Sequence, residues 1–161
     1  MAAHFSGRVS HFITLNEPQI VLKLGYADGI HAPGKRLLLP ELVSCWKNLM
    51  LAHGLSFRAI RKAAPEALIG IASTGKLCYP HSPADETTAR QETFRLTDAD
   101  WMFTHPIVLD AVCLGRAEPE AGALRKLLSE VTPEEWDTMH AVPDFIGVNS
   151  YNGCLLYTSP S

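Results

Sequence analysis

No apolar run in this chain approaches the roughly 20 residues that a membrane-spanning helix needs. The four cysteines, Cys45, Cys78, Cys113 and Cys154, are dispersed, with no C-x-x-C pair and no H-E-x-x-H beside them. The spacings that hold zinc or run thiol–disulfide exchange are therefore missing. The seven histidines show no ligand spacing either, so no metal is implied. Positive charge is not in excess: the net charge is −3. That balance excludes a phosphate-binding surface as the dominant feature, and with it a nucleic-acid partner. There is no G-x-G-x-x-G, no P-loop and no G-x-S-x-G elbow. Dinucleotide binding, nucleotide binding and serine-nucleophile hydrolysis lose their usual signatures. Internal repeats and low-complexity stretches are absent as well.

What is present is a chain of 161 residues, 47% hydrophobic and 19% charged. At about 100–200 residues per domain this is the composition of one globular unit. The first residues lack a basic segment followed by an apolar core, so they do not read as a signal peptide. Met1-Ala2-Ala3-His4-Phe5 reads instead as the last turn of a helix leading through Gly7 into a strand. Residues 154–161 are apolar and then abruptly polar, and are expected to be a non-native tail on a fold-forming segment 1–153. The cysteines read as reduced thiols, which places the protein in the cytoplasm.

Residues 9–16 are rich in β-branched and aromatic side chains and are closed by Pro18, which predicts a buried strand. A Gly/Pro-rich loop follows over 25–40. Leu42, Trp46, Leu49, Met50, His53, Phe57, Ile60 and Ala64 then recur at three- and four-residue steps. They predict one long amphipathic helix, stopped by Pro65. A second short apolar strand is expected at 68–72, and a polar loop at 79–85. A helix is expected from Glu86 to Thr104 with Phe94, Trp101 and His105 on or near its inner face. Residues 107–114 form a further segment ended by Gly115. Thr132-Pro133-Glu134-Glu135 carries an N-cap, a first-turn proline and a capping box. Residues 144–149 form a third apolar strand. Near-continuous apolar strands alternating with helices predict an α/β fold with a parallel sheet.

Two strand ends carry candidate chemistry. Thr14-Leu15-Asn16-Glu17-Pro18 sets an amide and a carboxylate at the end of the first strand. A fixed carboxyl in a partly dry site can protonate a leaving oxygen. Strict alternation would send Asn16 and Glu17 to opposite faces, so both reach one substrate only if the strand end is irregular, for example bulged. On these five residues alone, Glu17 as the first solvated residue of a loop carries more weight. Asn149-Ser150-Tyr151 ends the third strand, and its two-residue step puts an amide and a phenol on one face. The commoner situation there is a strand running into the Asn152-Gly153 turn. His31 reads as a structural loop histidine, and His53 as a hydrogen-bonded core residue.

Taken together, these segments resemble the family-one glycoside hydrolases, the β-glucosidase family. Thr14-Leu15-Asn16-Glu17-Pro18 is similar to that family's acid/base signature, and Gly25-Tyr26 through His31-Ala32-Pro33-Gly34 to the loop after it. Asn48-Leu49-Met50-Leu51-Ala52-His53-Gly54 resembles the next helix and Ile69-Gly70-Ile71 the next strand. Asp144-Phe145-Ile146-Gly147-Val148-Asn149-Ser150-Tyr151 resembles the sixth strand, with Ser150 where a second tyrosine is usual. The resemblance runs in order from residue 7 to residue 151.

It implies a partial (β/α)8 TIM barrel, about strands four to six with their helices, open and incomplete. Glu17 would be the general acid/base. Asn16 would bind the sugar 2-hydroxyl, Tyr151 would orient the nucleophilic carboxylate, and Asn149 would line the same pocket. The partner would be a β-glucoside or oligosaccharide, with no cofactor and no membrane. The retaining reaction needs a second carboxylate about 5–5.5 Å from the first. The Thr-Glu-Asn-Gly motif that supplies it in the family is not in this chain. The chain alone is therefore expected to be inactive, short of solubility and prone to associate through open strand edges. Glu17 is a glutamate, which argues against the thioglucosidase branch. The alternative from another class is a non-catalytic sugar-binding module or pseudoenzyme, and transglycosylation is an alternative within the enzyme class.

Overall fold

A computed structural model describes residues 2–151 and 153–157. A single turn, α1 (Ala2–Phe5), leads into β1 (His11–Asn16). A short α2 (Pro18–Ile20) then winds into a π-helical segment, Val21–Ala27. The long α3 (Leu39–Ala63) precedes β2 (Leu68–Thr74) and β3 (Leu77–Pro80). Four helices follow: α4 (Glu86–Phe94), α5 (Pro106–Leu114), α6 (Ala123–Leu128) and α7 (Pro133–Met139). The chain then forms β4 (Phe145–Asn149) and β5 (Gly153–Leu156).

The main sheet has the order β1-β2-β4 and is parallel throughout. Parallel neighbours need a crossover between them, and α3 supplies the first one. Its start is fixed by the Glu41 carboxylate, which accepts from the Leu38 N–H at 3.0 Å, and by Pro40 in the first turn. Its inner face buries Leu42, Val43, Trp46, Met50 and His53. Gly54 lets α7 approach closely, since a Cβ there would overlap the Thr138 carbonyl. The core joins this face to Ile71 of β2 and to Ile107, Val108, Ala111 and Val112 of α5. Leu124 and Leu128 of α6 and Met139 of α7 complete it.

The helical cover stops short of β4. Ile146 pairs with Ile71 and so shares its face. Yet Ile71 is fully buried while Ile146 is 44% exposed, and Val148, beside buried Ser73, is 56% exposed. At the other edge Ile13 of β1 is 51% exposed. The three strands form an open arc with apolar surface at both edges, and no barrel closes among the described residues.

Most of the expected elements are present, with differences at the loops. The helix expected over 86–104 ends at Phe94, because Arg95 turns extended and Thr97 and Asp100 bond each other's backbone. Phe94 is exposed rather than inward-facing, while Trp101 and His105 are buried in the irregular stretch that follows. Asp98 explains why this stretch stays unwound: its two carboxylate oxygens accept the Ala123 and Leu124 N–H groups at 2.8 Å each, and so cap α6 from outside. The loop expected over 79–85 contains the end of β3 and a 3-10 turn at Pro83–Asp85. The loop expected over 25–40 begins inside the π-helical segment and is tied back by Ile30 and His31 N–H bonds to the Leu24 carbonyl. His31 is exposed there. Within the expected tail, residues 154–156 lie in β5, which pairs with β3. Residues 158–161 of that tail lie outside the described residues. All four cysteines are unpaired thiols, and no described helix is long and apolar enough to cross a membrane.

Three carboxylates hold element ends together. Backbone N–H bonds from Leu124 and Ala123 keep the Asp98 carboxyl below its ordinary range. The Ile69 N–H and the Arg61 guanidinium do so for Asp144, and the Lys47 ammonium and the Thr132 N–H for Glu135. A carboxyl depressed in the folded state adds stability above its unfolded pKa and loses it as pH falls through the folded value. The urea midpoint should therefore hold from neutrality down to about pH 5 and drop below pH 4. An Asp98→Asn variant should flatten that drop.

Candidate active site

Glu17 sits where β1 breaks its register. Ile13 pairs with Gly70 and Asn16 with Ala72, so three steps along β1 match two along β2. This is the irregularity that lets Asn16 and Glu17 approach one site despite their adjacency. The slip leaves Asn16 on the open face, where Ala72, Gly147 and, one step further, Asn149 also lie. Glu17 then adopts the left-handed conformation, at φ 47° and ψ 58°. It is the one described non-glycine residue with positive φ. Its N–H bonds the Ala72 carbonyl at 2.8 Å, and its carbonyl accepts from Ile20 at 2.9 Å, starting the helical turn in which Pro18 is buried.

The side chains converge on one oxygen. Glu17 Oε1 accepts from Asn149 Nδ2 at 2.5 Å and from the Tyr151 hydroxyl at 2.5 Å. Asn149 Nδ2 also lies 3.5 Å from Asn16 Oδ1. The Tyr151 phenol is held above its ordinary range, first by this hydrogen bond to Glu17, then by desolvation, and then by the Glu17 charge. The phenol thus stays protonated and donating. All four candidate residues, Asn16, Glu17, Asn149 and Tyr151, meet at the C-terminal ends of β1 and β4. They can hold a carboxyl in place and offer an amide and a phenol to a hydroxylated ligand.

Behind them, β1 is buttressed by α3. His53 is buried, and burial pushes its imidazole below the ordinary range, so it is neutral. Its Nε2 faces the Ala141 carbonyl at 2.9 Å and must carry the proton. Nδ1 then accepts from the Thr14 hydroxyl at 2.7 Å. A hydrogen-bonded core histidine is what the sequence predicts, and it fixes the strand just before its bulge. No cluster of three His, Cys, Asp or Glu side chains that could hold a metal occurs among the described residues.

The profile of glycosyl hydrolase family 1 matches residues 1–161. The chain belongs to glycosyl hydrolase family 1. Among its family 1 relatives, the 1,4-beta-D-glucan glucohydrolase of Thermotoga neapolitana is 28% identical over 160 residues, which are 98% of this chain and 36% of that one. The family 1 β-glucosidase from Thermotoga maritima superposes with a TM-score of 0.75 at 28% identity, over 96% of this chain and 34% of that one. The virulence factor SghA, solved with its substrate analogue salicin, gives a TM-score of 0.75 at 25% identity, over 96% and 33%. The chain thus spans about a third of the length of the relatives it matches. These neighbours are β/α-barrel enzymes, and the parallel arc described above is similar to part of such a barrel.

The sequence did not single out Gln19, Ser73 or Thr74, and read His105 only as an inward-facing residue; together they form a buried polar layer under Glu17. Gln19 is two residues from the candidate acid, and its burial is the one signal that could have marked it. Burial does not show in a sequence.

Proposed function

We propose that this chain carries the acid/base half of a retaining β-glucosidase site and corresponds to about strands four to six of the family barrel. Glu17 protonates the leaving glycosidic oxygen and later takes a proton from the attacking water. Asn16 and Asn149 bind sugar hydroxyls. Tyr151, which reaches Glu17 here, orients the second carboxylate when that group is supplied by the rest of a barrel. The substrate class is the β-glucosides, by kinship with relatives of that name and with a neighbour solved with salicin. The cytoplasm is the compartment proposed for it, from the four unpaired thiols.

The observation that carries this reading is the convergence on Glu17 Oε1 of two donors more than 130 positions away in sequence. A left-handed glutamate costs about 1–3 kcal/mol and is kept where a site depends on it. Half a carboxylate pair does not complete a double displacement.

Two assays with an aryl β-glucoside test the reading. The 161-residue chain alone should give no turnover, whereas kcat for enzymes is ordinarily about 1–10³ s⁻¹. The same residues grafted in place of their match in the Thermotoga maritima β-glucosidase should give a working hydrolase. Ordinary turnover by the chain alone would refute the half-site reading, and a folded but inert graft would refute the role of Glu17.

A further inference from the structure

The strained turn at Glu17 has to be held by something below it, and one side chain is placed to do so. Gln19 is 1% exposed, and its amide is used at both ends. Its Nε2 donates to Ser73 Oγ at 2.7 Å and to the Thr104 carbonyl at 3.2 Å, while Oε1 faces the Thr74 N–H at 3.5 Å. The carbonyl can only accept and the N–H only donate, so the partners themselves fix which end of the amide is which. Ser73 accepts from Gln19 and has its own proton left for His105 Nδ1, 3.0 Å away. His105 is in turn buried, and burial lowers its pKa, so its neutral ring accepts at Nδ1 and carries its proton on Nε2. That Nε2 is a buried side-chain atom with no hydrogen-bond partner.

These bonds clamp the turn after β1 onto the end of β2 and onto the loop entering α5. From the same end of β2, the Thr74 hydroxyl donates to the Asn149 carbonyl at 3.0 Å. Asn149 is the residue whose amide reaches Glu17. Both the backbone of Glu17 and its carboxylate partner are thus referenced to Ser73 and Thr74.

We propose that Gln19 is a positioning residue for Glu17, holding the left-handed turn through Ser73, Thr74 and Thr104 so that the carboxylate meets Asn149 and Tyr151. The proposal rests on reading Glu17 as the acid/base, but its test needs neither substrate nor turnover. It can therefore fail while that reading stands, and the reverse.

The probe is the Tyr151 phenol, whose titration reports the nearby Glu17 carboxylate. Its midpoint is read in the full chain by tyrosinate absorbance, with Tyr151→Phe subtracting Tyr26, Tyr79 and Tyr157, and circular dichroism checking the fold. In Gln19→Met, which keeps length and burial but loses the amide, the midpoint should fall at least halfway to its value in urea. Ser73→Ala should move it in the same direction and by less. A core change far from the site, Val112→Ala, should leave it unmoved. A folded Gln19→Met chain with the native midpoint overturns the proposal, as does an equal shift in Val112→Ala. If Gln19→Met does not fold, Ser73→Ala decides, and its native midpoint overturns the proposal.

Discussion

Glutamine in place of Glu17 should lower kcat of the grafted barrel by about 10²–10⁴-fold, the usual worth of a positioned general acid. The two side chains have the same shape. Glutamine can still accept from Asn149 and Tyr151 through its carbonyl oxygen, so the turn and the two donors should stay where they are. What disappears is the proton. The loss should be largest for glucosides whose aglycone is a poor leaving group, because their first step needs protonation. It should shrink for activated aryl glucosides, whose departure needs little help. In the second step water lacks its base, and a small anionic nucleophile such as azide, which needs none, should restore turnover. Activity within tenfold of the native graft on poor leaving groups would place the acid elsewhere.

Trp46→Ala should remove most of the stability of the chain. Trp46 is 1% exposed at the centre of the face that α3 turns toward α5. Its indole N–H donates to the Ile107 carbonyl at 2.8 Å, and its ring meets Trp136 of α7 edge-on at 5.8 Å. Truncating a buried Trp costs about 3–5 kcal/mol, and the carbonyl left unpaired adds to it. Domains of this size have about 5–15 kcal/mol in all, and an open arc with two bare edges belongs near the low end. The urea transition of Trp46→Ala should therefore move close to zero denaturant or vanish. Trp46→Phe keeps a ring against Trp136 and loses the N–H bond, so its midpoint should fall by clearly less. Equal effects of the two substitutions would mean that the hydrogen bond, not the packing, carries the contribution.

The parts of the fold that could be read from the residues are those with a long period or a local rule. Residues 42–64 mark α3 through seven apolar positions and His53 on one stripe, and Pro65 marks its end. The capping box at Thr132 and Glu135 marks α7, and both its bonds form, at 3.0 and 3.2 Å. Asp98 shows where reading fails. In sequence it lies inside an apparently helical span, but its carboxylate caps a helix 25 and 26 residues further on, and no window sees that partner. α6 itself is six residues long, too short for its stripe to stand out. β3 escaped notice because it has only four residues, ending in Tyr79-Pro80, too few for an alternating pattern to stand out.

The sequence by itself determined the family, the alternation of parallel strands and helices, and the identity of the four residues at the strand ends. Short-range chemistry decides the alternation, through apolar period and proline and cap positions, while the resemblance of several segments in order carries the family and the four candidates. Only the tertiary structure decided that the four meet, since Glu17 and Asn149 are 132 positions apart. Two parallel crossovers and one slipped register bring them together. The left-handed turn at Glu17 and the buried amide of Gln19 also belong to that level. A strained conformation and a buried polar group persist only through contacts made by distant parts of the chain.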